Sequence, residues 1–313
     1  MRPNHIARFY ALPLCCTFCA CLTLVFGSCA PKRQAAVPAP LAPKTVAALS
    51  SSIAEMWLLA GGSLAGVSAD AFAAERGFAL PGGVANLGGV FSPSAERLLD
   101  LKPDLVLLSR DIAAHRSLAK TLRAAHIPAL LVKVETLDEY LSALRDFTGI
   151  TGDAAAFERN GQRVREQADA LLARLPADKG RKSALFFRAY SSGITAITGE
   201  HQVCAILSDI GVDVVGGGTA GGRTSALNVS VEHIIEANPD FIFAVFQGDE
   251  DKARASFAAS FAAHPAWASL RAVRDGRFIV LPKALFHFKP NSRWAQAYEH
   301  LLRIVYPETY AAE

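Results

Sequence analysis

The chain has 313 residues, 51% of them hydrophobic and 19% charged, enough apolar material for one large or two medium globular domains. Its formal charge is +3, and removing the first 28 residues takes away two arginines and no acid, so the body is close to neutral. That balance, with no basic stripe interleaved with aromatics, argues against a nucleic-acid partner.

The N-terminus reads as a targeting segment rather than as part of a fold. Arg2 and Arg8 form a positive region, residues 9–26 an apolar run, and Gly27-Ser28-Cys29 closes it. This resembles the lipobox of bacterial lipoproteins, which implies a signal peptide over 1–28 and a lipidated N-terminus at Cys29. Phe26 stands where that pattern has an aliphatic residue. An uncleaved anchor and ordinary secretory cleavage around Ser28-Cys29-Ala30 are the competing readings. Five of the six cysteines lie in the leader or at its end, leaving Cys204 alone in the body. The mature domain therefore has neither an intrachain disulfide nor a thiol metal cluster, and Cys204 reads as a small buried hydrophobe.

Residues 29–44 form a Pro/Ala-rich tether. Strands are then expected at Thr45–Leu49, Leu105–Leu108 and Ala129–Val134, with helices at about Ser52–Ala60 and Ala113–Ala125. From Asp153 to Leu175 runs one long polar helical stretch, ended by Pro176 and Gly180. Beyond it come strands at Ala184–Phe187, Phe241–Phe246 and Phe278–Leu281, and helices at Val203–Ile210 and Ser292–Val305. The alternation predicts an α/β fold with mainly parallel sheets: an N-terminal lobe (45–152), a connecting helix (153–176) and a C-terminal lobe (177–313).

An internal repeat supports two similar lobes. Residues 94–108 (SAERLLDLKPDLVLL) align with residues 230–244 (SVEHIIEANPDFIFA), matching Ser94 with Ser230, Glu96 with Glu232 and Pro103-Asp104 with Pro239-Asp240. Each copy reads as a short helix, a proline stop and a buried strand. Ser92-Pro93 is expected to supply an N-cap and a first-position proline, with Asn228 as the equivalent cap.

These features resemble the class III, helical-backbone substrate-binding proteins of iron-siderophore, haem and cobalamin ABC importers. The resemblance covers about Thr45 to Pro307 and rests on the doubled block, the interlobe helix, the opening AALSSSIAEMWLL and the closing LFHFKPNSRWAQAYEHL. It implies two lobes that pinch a ligand with a small hinge motion. It also implies a glutamate on each lobe that docks onto arginines of the permease, by position Glu96 and Glu232. The implied partners are an ABC permease with its ATPase, a small-molecule chelate and a membrane reached through the lipid anchor. The protein would act as a monomer without a resident cofactor, and not as an enzyme. A zinc- or manganese-binding importer component and a structural or adhesive surface lipoprotein are the alternatives.

Ligands of α/β lobes sit at the C-terminal ends of the strands. Polar and aromatic residues at those ends are Ser51, Ser52 and Arg110 in the first lobe and Arg188, Tyr190 and Gln247 in the second. The closing loop adds His287, Phe288, Lys289, Asn291, Arg293 and Trp294. Arginine forks pair carboxylates and aromatic faces supply contact area, which suits a large chelate rimmed with acids or amides. The other histidines show no metal-ligand spacing, and GxxxxGK[ST], GxSxG and HExxH are absent. Gly216–Gly221 matches GxGxxG in letters, but no helix follows, so it reads as a loop. The letters of a glycosylation sequon at Asn228 are explained by the expected cap.

Overall fold

The computed structural model describes residues 42–73, 78–216, 226–227 and 231–311. The leader, Cys29, most of the tether, most of the glycine run and Asn228 lie outside the described residues. Five short strands build the first sheet: Val46–Ala48 (β1), Gly66–Val67 (β2), Ala85–Asn86 (β3), Leu105–Ser109 (β6) and Ala129–Val132 (β7). They are parallel and ordered β3-β2-β1-β6-β7. Gly88–Gly89 (β4) and Ser92–Pro93 (β5) form a separate antiparallel hairpin. Ser92-Pro93 is thus strand rather than helix cap; Ser94 takes that role, its side chain accepting from the Arg97 amide.

The second sheet contains Lys182–Tyr190 (β8), Gly193–Ile197 (β9), Val212–Val214 (β10), Ala226–Leu227 (β11), Phe241–Phe246 (β12) and Phe278–Val280 (β13). Its order is β11-β9-β8-β12-β13, and β10 pairs with the start of β8. β8, β12 and β13 are parallel, whereas β9 returns antiparallel along the second half of β8. All six residues of β12 are buried, as expected of a parallel strand covered on both faces.

The repeat has a physical basis. In each copy a non-glycine residue with positive φ (Lys102, 49°; Asn238, 37°) turns the helix end, and the Pro-Asp carboxylate then ties down the neighbouring strand. Asp104 accepts from the Lys44 and Thr45 amides at 2.9 Å, and Asp240 accepts from the Ser183 amide at 2.9 Å and its hydroxyl at 3.1 Å. Burial alone would raise the Asp240 carboxyl, but the bonds from Ser183 and Arg271 outweigh it and hold the group below the usual carboxylate range. Its stabilisation is therefore present above the unfolded-state value and lost as pH falls through the folded one. Asp240→Asn is expected to cost about 1–2 kcal/mol at pH 7, since bonds to a charged acceptor are the stronger kind. Urea titrations should show that difference shrinking below about pH 4; a pH-independent difference would count against the charge.

One uninterrupted helix joins the lobes, from Ala154 through a π-turn at Glu158–Gln162 to Leu172. The π-turn is fixed from outside. Asn160 donates its side-chain amide to the Leu59 carbonyl at 2.7 Å, while its own carbonyl accepts from the Tyr140 hydroxyl at 2.6 Å. Gly161 sits where a Cβ would lie 3.0 Å from the Phe157 ring and 3.1 Å from Leu144, so a side chain would push the helix off its seat. The largest apolar cluster runs without a break from Val46 and Leu107, through Val164 and Ala168 of this helix, to Phe186, Phe243 and Trp294. A shared core of this kind opposes wide separation of the lobes.

Candidate functional site

A cleft of about 510 Å3 lies between the two lobes. Ser50, Ser51 and Ser52 enter it where β1 passes into the Ser51–Leu59 helix, Asp70 after β2, Asp111 after β6 and Glu135 after β7. From the second lobe come Arg188 and Tyr190 at the end of β8, Gln247 after β12, and His287, Phe288 and Lys289 of the closing loop. Most of the lining thus comes from strand C-terminal ends, the places where a parallel sheet leaves backbone and side chains unpaired, and the closing loop after the Lys283–Phe286 helix completes it.

Arg188 is the centre of the C-terminal wall. Its guanidinium donates to the Tyr190 hydroxyl and, at 3.1 Å, to Gln247 Oε1, and lies 5.6 Å from the Tyr190 ring centre. Register explains the grouping: β8 and β12 are parallel neighbours, with Arg188 opposite Val245, two residues before Gln247. The partners are neutral, and Nε is buried without a hydrogen bond. Among the described residues Arg188 has no carboxylate partner.

Lys289 differs: it reaches across the cleft to Glu135 Oε1 at 2.5 Å, and its amide donates to Ser52 Oγ at 3.2 Å. Burial raises the Glu135 carboxyl; Lys289 opposes that shift and Asp111 adds to it. A second interlobe pair, Lys133–Glu200 at 2.8 Å, closes the adjoining edge. His201 is buried between these charges, its Nδ1 accepting from the Val203 amide at 3.2 Å. Burial, then Lys289, Arg188 and His287, hold its imidazole well below its ordinary value, so it is neutral. His115 is likewise lowered by burial. It accepts from the Ser109 amide at 2.9 Å and meets the Val90 carbonyl at 2.8 Å, which fixes the β4–β5 hairpin beside the end of β6. The hairpin presents Phe91, 73% exposed, at the cleft mouth.

The cleft collects Ser51, Ser52, Arg188, Tyr190, Gln247, His287, Phe288 and Lys289 of the expected residues, and excludes Arg110, Asn291, Arg293 and Trp294. Arg110 is exposed beside the β7 edge with Leu130 and Lys133, outside the cleft, because its own carbonyl is fixed by Arg116 and its amide by Val132. Arg293 instead pairs with Glu55 at 4.0 Å, under the first helix. Trp294 is 0% exposed in the shared core, where the C-terminal helix begins. Asn291 also stays at this junction, donating to Ser52 O at 3.0 Å and Glu55 Oε2 at 2.8 Å. Both docking candidates are exposed in the first turn of their helices, Ala95–Asp100 and Val231–Ala237. Among the described residues no group of three or more His, Cys, Asp or Glu could hold a metal ion.

Two lobes of mainly parallel sheet, a connecting helix packed into their shared core and a cleft lined largely by strand ends define a ligand-binding protein of the helical-backbone kind. The family model described as periplasmic binding protein matches residues 46–285, and the chain belongs to that family, an extracytoplasmic group of binding proteins. Similar folds include an ABC transporter substrate-binding protein of Listeria monocytogenes (TM-score 0.70, 17% identity, 84% of this chain and 98% of that one). A Staphylococcus aureus protein solved with haem has a TM-score of 0.71 at 14% identity, covering 84% and 98%. The vitamin B12 binding protein of Vibrio cholerae has 0.67 at 18%, covering 85% and 98%. No curated protein matches in sequence.

Proposed function

We propose that the protein is the substrate-binding component of an ABC importer, a monomer held to the membrane by a lipid on Cys29. It captures a metal chelate (iron-siderophore, haem or cobalamin) in the interlobe cleft and delivers it to the permease and its ATPase. The observation that carries this reading is Arg188: a cation fixed in the cleft by Tyr190 and Gln247 with no acidic partner among the described residues. An incoming carboxylate or hydroxamate oxygen supplies that partner. The names of similar structures, which bind haem and vitamin B12, support the ligand class.

Purification from the native host tests both halves. The expected result is an intact mass that includes diacylglycerol at Cys29, with a stoichiometric coloured chelate identified by absorption and mass. A chain beginning at Ala30 or later would remove the anchor. A protein that bound no hemin, ferric siderophore or cobalamin in equilibrium dialysis would remove the ligand class.

A further inference from the structure

The charges lining the cleft are sorted by lobe. Its N-terminal wall carries Asp70, Asp111 and Glu135 and no cation, whereas the described C-terminal wall carries Arg188 and Lys289 and no acid. A site built only for an anion has no use for three carboxylates facing it, because each repels the ligand across a low-dielectric gap.

The three acids are not equally committed. Asp70 accepts from the Ser51 amide at 3.1 Å and from the Ser68 hydroxyl at 2.5 Å, which orients it within its own lobe. Glu135 gives one oxygen to Lys289, and the Gln202 amide also acts on its carboxylate; Oε2 is buried and makes no hydrogen bond of ordinary geometry, in a residue only 8% exposed. A buried carboxylate oxygen without a donor is costly, and a ligand donor that reaches it recovers that cost. Asp111 stands beside it at the end of the adjacent strand, exposed and without an ion-pair partner among the described residues. Two carboxylates with no third ligand do not make a cage for a bare cation, which needs six or more oxygens in the case of calcium. They suit a hydrogen-bonding organic cation.

We propose that Asp111 and Glu135 form a subsite for a protonated amine of the ligand, so that the chelate is amphoteric. It is acceptor-rich where it meets Arg188 and cationic where it meets the N-terminal wall. This rests on the reading of the cleft as a chelate site, and it separates the ligand from haem, whose charged groups are carboxylates.

The test compares ferrioxamine B, a ferric hydroxamate ending in an ammonium group, with its N-acetyl derivative and with hemin, by titration calorimetry at low salt. Ferrioxamine B is expected to bind about five- to tenfold tighter than the acetylated chelate, the range for a partly exposed ion pair reinforced by a buried acceptor. Asp111→Asn, at an exposed position that tolerates the change, should remove most of that preference, and Glu135→Gln the rest. The readout of Asp111→Asn is the ratio of the two hydroxamate affinities, which should fall toward one. Equal binding of the two hydroxamates by the wild type, or binding of hemin alone, overturns the amine subsite and leaves the chelate reading intact. Binding of cobalamin or of another ferric siderophore but of none of the three also overturns the amine subsite alone, and only the absence of binding to every one of these chelates overturns both.

Discussion

Arg188→Ala is expected to weaken binding of the protein's best chelate by about ten- to a hundredfold, the equivalent of one charge-assisted bond of roughly 1.5–3 kcal/mol. The size follows from how the guanidinium is held. Tyr190 and Gln247 fix one end of the fork before the ligand arrives, so little rotamer entropy is lost on binding. With no acid beside it among the described residues, the ligand's oxygen is not competing with an internal salt bridge. Tyr190→Phe keeps the ring and removes the orienting hydroxyl, and should cost about three- to tenfold, the range of one neutral hydrogen bond. Arg293→Ala is the contrasting change: its side chain pairs with Glu55 under the first helix, so it should lower thermal stability and leave ligand affinity nearly unchanged. Equilibrium titration over hemin, ferric siderophores and cobalamin measures all three variants. Wild-type affinity in Arg188→Ala would move the site elsewhere in the cleft.

Arg188 and Arg293 show how far the sequence carries. Both are arginines close behind a strand or loop that faces the gap, and local pattern treats them alike. What separates them is Glu55, one turn into a helix more than two hundred residues earlier, whose carboxylate collects both Asn291 and Arg293. Long-range pairing of this kind leaves no mark on local periodicity. Trp294 fails for a related reason: it opens a helix whose inward face is apolar, at Ala297, Tyr298, Leu301 and Leu302, and that face was legible as core.

Other misses had a signal. Thr136-x-x-Glu139 opens the Leu137–Thr151 helix, Thr136 accepting from the Glu139 amide at 3.1 Å, and is a local signal for a helix that the expected elements lack. Glu139 departs from the usual reciprocal bond by accepting from the Glu135 amide at 2.6 Å. Glu135 itself is the first residue after the expected strand Ala129–Val134, so the rule that found Arg188 and Gln247 applies to it equally. The antiparallel β9 was harder, because GITAI is too short to reveal direction. The parallel core, by contrast, was plain: runs such as LVLL and FIFAVF, each behind a Pro-Asp, are buried on both faces in the structure.

Glu96→Arg and Glu232→Arg are each expected to reduce uptake by at least about tenfold while changing ligand affinity by less than about twofold, because a charge on the rim governs partner pairing and not the cleft. The repeat puts the two residues in equivalent settings. Each occupies the first turn of a short helix that is anchored two positions later by a buried residue, Leu98 or Ile234. Each helix then feeds a central strand whose start is latched to its neighbour by Asp104 or Asp240. A short connection of this sort makes the helix run back along the sheet, so its N-terminus faces the strand ends that line the cleft. In the first lobe this is visible directly: the Ser94 amide donates to Leu87 O at 2.8 Å, beside the hairpin whose Phe91 marks the cleft mouth. On the proposed reading, two carboxylates on the cleft-bearing face, one per lobe, would let a permease with matching cations hold both lobes at once and act on their separation. Reversing either charge turns an attractive contact into a like-charge one. Transport into vesicles bearing the cognate permease measures the loss, and dialysis of the isolated protein measures the affinity. Normal transport by the double reversal would show that docking uses another surface, and abolished ligand binding by either single variant would place that glutamate in the cleft's support instead.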